Sequence, residues 1–173
     1  RKAFAHTAAY DAAIVTWFDD TDRAEAGADA DPLPPSIHYA LERAQDLRYG
    51  ENPHQVGARY RHSGRAGWWD TAIQHGGKEL SYLNLYDTEA AWRLVHTMGD
   101  QPAVAVIKHA NPCGAAVHDD ITAAYVKAHE CDPVSAYGGI VAINRVVPKA
   151  LAEALAPVFT EVVVAPGFDP DAL

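Results

Sequence analysis

The chain has 173 residues, 49% of them hydrophobic and 21% charged, which suffices for one core or for one domain carrying the end of another. A formal net charge of −9 argues against a nonspecific nucleic-acid binder and against a protein of anionic membrane surfaces. No apolar run approaches the roughly 20 residues of a membrane span, and the opening Arg1-Lys2-Ala3-Phe4 lacks a signal-like apolar region. The two cysteines, Cys113 and Cys131, form no Cys-x-x-Cys pair. A reducing compartment, the cytoplasm, is the expected location.

Phe4, Ala8, Ala12 and Val15 fall on one helical face, widened by Ile14, Trp17 and Phe18, so residues 2–18 are predicted to form an amphipathic helix. Asp19, Asp20, Asp22, Glu25, Asp29 and Asp31 then crowd a segment rich in Ala and Pro, and residues 19–35 are read as a solvated linker. Residues 36–47 suit an extended segment leading to a turn at Asn52-Pro53, and residues 57–61 a short strand. Residues 68–77 carry no clear period. Ala90, Ala91, Leu94, Val95 and Met98 define a helix with Asn84 or Asp87 as N-cap, closed by Gly99 and Pro102. A buried strand over 103–108 follows, and Asn111-Pro112-Cys113-Gly114 reads as a turn. Next come a helix over 120–129, a turn at 132–139, a strand at 140–143, a helix from Pro148 to about Ala156 and a strand at 162–165. This alternation predicts an α/β domain, a layered and largely parallel sheet with flanking helices. With no initiating Met and an opening in mid-helix, the chain is expected to be a piece of something longer.

Chemistry concentrates at the end of the apolar run, where Lys108 and His109 put an ammonium beside an imidazole. Ligands in open α/β sheets sit at the carboxyl ends of strands, and such a pair can accept a proton and stabilise developing negative charge. Alone, the pair is suggestive only, and a solvent-facing strand end at Lys108 with a hydrogen-bonded core histidine at His109 fits it better. Arg48 and Tyr49 offer a phosphate fork and a phenol side by side. A zinc site is the obvious rival, since His109, Cys113, His118, His129 and Cys131 lie close in sequence. Zinc nucleobase deaminases, however, use a His-x-Glu and a later Pro-Cys-x-x-Cys. Pro112-Cys113 is followed by Gly114-Ala115-Ala116 with no His-x-Glu upstream, so no metal is expected. Gly76-Gly77-Lys78 and Tyr137-Gly138-Gly139 fit neither phosphate-loop nor dinucleotide fingerprints.

Four ordered motifs carry a more specific signal: Leu47-Arg-Tyr-Gly-Glu-Asn-Pro-His-Gln55, Gly77-Lys-Glu-Leu-Ser-Tyr-Leu-Asn-Leu-Tyr-Asp87, Ile107-Lys-His-Ala-Asn-Pro-Cys-Gly114 and Asp132-Pro-Val-Ser-Ala-Tyr-Gly-Gly139. Together they resemble the bacterial form of the bifunctional purine-biosynthesis enzymes that couple aminoimidazole-carboxamide ribonucleotide (AICAR) formyltransferase to inosine monophosphate (IMP) cyclohydrolase. The resemblance runs through all 173 residues but covers only about the middle third of a family member. It implies that residues 1–18 are the last helix of the cyclohydrolase domain and 19–35 an acidic linker. Residues 36–173 are then the first part of the formyltransferase domain, cytidine-deaminase-like without the zinc.

The same resemblance implies roles residue by residue. Arg48 and Tyr49 match positions that contact AICAR, His109 the proton acceptor, which also touches substrate, and Lys108 the neighbour that stabilises the transition state. Gly138 matches a backbone contact to AICAR, and Glu161 stands where some members carry a substrate-binding Asp. The implied reaction moves a formyl group from 10-formyltetrahydrofolate, a cosubstrate, to AICAR in a homodimer with shared active sites, with no nucleic acid or membrane partner. The cyclohydrolase residues would lie upstream, and a catalytic Asn and most folate contacts downstream. This piece alone is therefore expected to hold no cofactor and to be inactive. The alternatives are a non-catalytic AICAR-binding fragment and a zinc-dependent nucleobase deaminase.

Overall fold

The computed structural model describes residues 1–29, 31–34 and 36–173 and divides the chain into two units, Arg1–Asp46 with Ala58–Gln74, and Leu47–Gly57 with His75–Leu173. In the first unit, helix α1 (Lys2–Ala26) runs one continuous course through Asp19, Asp20, Asp22 and Glu25. The acidic stretch expected as linker is therefore helical as far as Ala26. Its alanines favour helix, its carboxylates are solvated, and Arg23 pairs with Asp20 at 3.4 Å. Gly27, at φ 59°, ends the helix and is followed by a short 3-10 turn. The remainder of the expected linker includes Ala30, Pro35 and the Asp29 side chain, which lie outside the described residues. No residue of α1 is buried, and Phe4 on its apolar face is 81% exposed.

The same unit holds a two-stranded sheet of β1 (Leu41–Leu47) and β2 (Gly57–His62), and a single-turn helix, α2 (Trp68–Thr71), in the stretch without clear period. Arg61 reaches Glu42 at 2.9 Å, and Arg59 reaches Asp70 at 2.7 Å. The Gly67 amide donates to the other Asp70 oxygen at 2.8 Å. That amide, then the Arg59 guanidinium, holds the Asp70 carboxyl below its ordinary value of 3.8.

The second unit is three layers. Helix α3 (Tyr82–Thr97) covers one face of a four-stranded sheet, and α4 (Ile121–Glu130) and α5 (Lys149–Leu155) cover the other. The strands are β3 (Ala103–Lys108), β4 (Asn111–Val117), β5 (Gly139–Ile143) and β6 (Thr160–Val164), in the order β4-β3-β5-β6. Successive side chains of a strand point to opposite faces. Ala103, Ala105 and Ile107 accordingly pack with Ala91 and Val95 of α3, while Val104 and Val106 pack with Ala124, Tyr125 and Ala128 of α4. With both faces covered, β3 and β5 are apolar throughout their buried lengths.

The layered α/β architecture agrees with the reading of the sequence; the largely parallel sheet does not. β3 is antiparallel to both β4 and β5, and only β5 and β6 are parallel. The cause is the segment expected as a turn. Asn111-Pro112-Cys113-Gly114 forms the first half of β4, joined to β3 by a two-residue hairpin, Lys108 standing opposite Asn111. β4 and β5 run the same way on either side of β3, so α4 is a crossover between them, as α5 is between β5 and β6. The helix–strand alternation thus reported two true crossovers and concealed a hairpin.

Gly114 lies where β4 passes under α4. A Cβ there would sit 1.9 Å from the Ala128 carbonyl oxygen and 2.8 Å from Cys131 Cβ, so strand or helix would have to move. Overpacking of this kind costs typically 1–3 kcal/mol and occasionally more. Gly114→Ala is expected to destabilise the second unit by about 3 kcal/mol in urea unfolding, with amide protection lost first in α4. In the first unit, a carboxyl whose folded pKa is depressed contributes stability above its unfolded pKa and loses it as pH falls through the folded one. Asp70→Asn should therefore lower amide-exchange protection across β2 and α2 at neutral pH. The difference from wild type should close as pH falls below about 3.8, the ordinary value.

Candidate active site

The site is built at the end of β3. Lys108 is the last residue of the strand, and His109 and Ala110 form the turn to β4 with φ of 53° and 58°. Two-residue hairpins favour positive φ at both central positions because that twist matches the strands, and Asn-Gly usually fills them. Here both are residues with a Cβ, for which the left-handed region costs roughly 1–2 kcal/mol each. The turn is held from outside. The Asp87 carboxylate, on α3, accepts the His109 amide at 3.2 Å and the Ala110 amide at 2.9 Å, and Asn111 Nδ2 donates to the His109 carbonyl at 2.8 Å. Just beyond, the register slips between Val106 and Ile107, which face Gly114 and Pro112, so Cys113 bulges out of the ladder.

Lys108 turns back toward the loop before β5, and its Nζ donates to the Tyr137 carbonyl at 2.5 Å. An ammonium has three donors, so two remain for a ligand. Gly138 follows in the left-handed region at φ 69°, its amide donating to the Phe159 carbonyl at 2.7 Å. An added Cβ would lie 3.5 Å from Lys108 Nζ. The next glycine is tighter: a Cβ on Gly139 would fall 2.8 Å from the Ile107 carbonyl oxygen, so the start of β5 lies against the strand that carries the Lys-His pair.

The third side is the N-terminal end of α3. Ser81 is its N-cap, and the Asn84 side chain accepts the Ser81 amide at 3.1 Å. The same Asn84 donates through Nδ2 to Glu161 Oε2 at 2.6 Å, which ties the first turn of α3 to β6. Asn84 and Asp87, each expected as an N-cap, are thus the cap's partner and a helix-interior group aimed at the hairpin.

These elements enclose a cavity of about 390 Å³, within the range of small-molecule sites. Lys108, His109, Gly138 and Glu161 all line it, joined by Asn84 and Asp87, with Leu83, Ile140 and Phe159 as apolar wall. Among the described residues the His109 imidazole has no hydrogen-bond partner, and the residue is exposed. Arg48 and Tyr49 do not line the cavity but stand at the start of α3. The Tyr49 carbonyl accepts the Tyr82 amide at 3.1 Å, and the Arg48 guanidinium bonds the Tyr49 hydroxyl at 3.1 Å and lies 4.8 Å from its ring centre.

Asp87 and Asn84 are the site residues that the sequence reading assigned to another task. The signal for them is spacing: Asn84, Asp87, Thr88 and Ala91 share one helical face, and its buried members turn that face toward the sheet. Among the described residues no group of three or more His, Cys, Asp or Glu side chains could hold a metal ion. Cys113 packs against the core beside α4, and burial foremost, then the Asp132 charge, raises its thiol above 9.0. No helix of the described residues is long and apolar enough to cross a membrane.

The chain is similar to known proteins over nearly its whole length. The AICARFT/IMPCHase bienzyme family matches residues 1–173. The chain is also similar to the bifunctional purine biosynthesis protein PurH of Cutibacterium acnes (strain DSM 16379 / KPA171202), 48% identical over 172 residues, which is 99% of this chain and 32% of that protein. The chain therefore spans about a third of that relative's length. With a family match over every residue, the chain belongs to the AICARFT/IMPCHase bienzyme family.

Proposed function

We propose that the full-length protein containing this chain transfers the formyl group of 10-formyltetrahydrofolate to the 5-amino group of AICAR. The formyl-AICAR product would then close to IMP in a domain upstream of this chain. The observation that carries the reading is the placement of Lys108 and His109 together at the mouth of a cavity that Gly138 and Glu161 also line, in a chain of this family.

The 5-amino group is a weak nucleophile because its lone pair is delocalised into the ring and carboxamide. As its nitrogen bonds to the formyl carbon, His109 accepts the proton that the nitrogen sheds. The negative charge that gathers on the formyl oxygen, and then on the departing folate nitrogen, is met by the Lys108 ammonium. The carbon–nitrogen bond to folate breaks, and that nitrogen recovers a proton. The partnerless imidazole suits the first task. The second is suited by an ammonium fixed at one donor by the Tyr137 carbonyl and open at two.

Within this reading, Glu161 and the Gly138 backbone bind AICAR inside the cavity, while Arg48 and Tyr49 bind it from the start of α3. The domain is cytidine-deaminase-like without the zinc, and folate is a cosubstrate supplied with contacts from outside this chain. The working form is a cytoplasmic homodimer whose sites are shared between subunits, so the piece described here would bind AICAR without turning it over.

Formyl transfer followed by absorbance in the full-length protein tests the reading. His109→Ala should lower kcat on the order of 10²-fold or more while AICAR still binds, as loss of a general base requires. Unchanged turnover would remove the mechanism, and AICAR binding with no transfer in the wild-type dimer would leave a binding module. Gly138→Ala should raise KM for AICAR about tenfold, since roughly 1–2 kcal/mol of left-handed strain would be relieved by moving the loop away from Lys108.

A further inference from the structure

Asp87 stands out once the cavity is described, because it is a carboxylate in the cavity wall that faces two backbone amides. One oxygen takes the His109 amide and the other the Ala110 amide, at 3.2 and 2.9 Å. Those amides belong to the two non-glycine residues with positive φ among the described residues. Strained backbone persists where its surroundings over-determine it, and a carboxylate on consecutive amides gives two charge-assisted hydrogen bonds in a fixed geometry. The restraint comes from α3, 22 and 23 residues earlier in the chain, so it ties the hairpin to the helix.

We propose that Asp87 is a positioning residue for His109: by holding the His109 and Ala110 amides from α3, it keeps the turn in the left-handed geometry that aims the imidazole into the cavity. The proposal rests on the reading of His109 as proton acceptor. Asp87 acts through the backbone, each of its oxygens accepting one of the two turn amides. Misplacement of a reacting group by about 1 Å can cost 10²-fold in rate, whereas binding contacts made by other residues would be spared.

The test is a double-mutant cycle in the full-length enzyme, with formyl transfer from 10-formyltetrahydrofolate to AICAR as the assay. Asp87→Ala should lower kcat by 10- to 100-fold with KM for AICAR changed less than about threefold. Asp87→Asn keeps one carbonyl oxygen for one amide, so it should recover part of that loss and stands in should the alanine variant fail to fold. In the His109→Ala background, either substitution should cost less than about twofold more, since residues acting as one unit are non-additive. Exchange of the amides between Ile107 and Pro112 should accelerate in both single variants. Equal, independent losses in the two backgrounds, or a rise in KM in place of a fall in kcat, would overturn the positioning role. A His109→Ala enzyme of full activity would instead overturn the proton-acceptor reading.

Discussion

Burial of β3 on both faces and both edges is the constraint on which the second unit depends. Its five residues from Ala103 to Ile107 are at most 1% exposed, with α3 on one side, α4 on the other and β4 and β5 alongside. A strand so enclosed cannot shift register without turning its α3-facing set toward α4. Its end is consequently a fixed point, and Lys108 is the first residue at which the strand leaves the core. The buried Asn144 fixes the other end, accepting the Ala103 amide at 2.7 Å and donating to the Gln101 carbonyl at 2.8 Å. Chemistry placed at such a strand end inherits the rigidity of the core, and the cavity needs only short loops to complete it.

Much of this was legible from periodicity. The helices about Ala91 and Ala124 and the strands at 103–108 and 140–143 lie within a few residues of where their apolar spacing puts them. The hairpin was not, because Pro112 and Gly114 are turn signals in the chain, whereas in space Pro112 sits in an edge strand that tolerates it and Gly114 in a strand that must clear α4. That one segment decides the direction of β4 against β3, and with it the mixed character of the sheet. The length of α1 is hidden for a related reason: clustered aspartates signal solvation, and a helix with no buried face is as solvated as a loop.

At the site, Lys108, His109, Gly138 and Glu161 meet in one cavity from three separate stretches of chain. Arg48 and Tyr49 come only as far as the start of α3. Asp87 escaped because an acidic residue near the start of a helix has a ready local explanation. What distinguishes it is a partner 22 residues away, and pairing across that separation leaves no periodic trace in a single sequence.

The bulge and proline that begin β4 also bear on the sheet's outer border. Asn111 pairs with Lys108 across the turn, so by the alternation of an antiparallel ladder the nitrogen of Pro112 faces away from β3 and has no hydrogen to offer. Cys113 then throws the ladder out of step. A foreign strand approaching that border meets a missing donor followed by a break in spacing, two devices by which sheets resist edge-to-edge growth. The turn that carries His109 thus opens directly into an edge strand whose first residues are unsuited to pairing with a further strand.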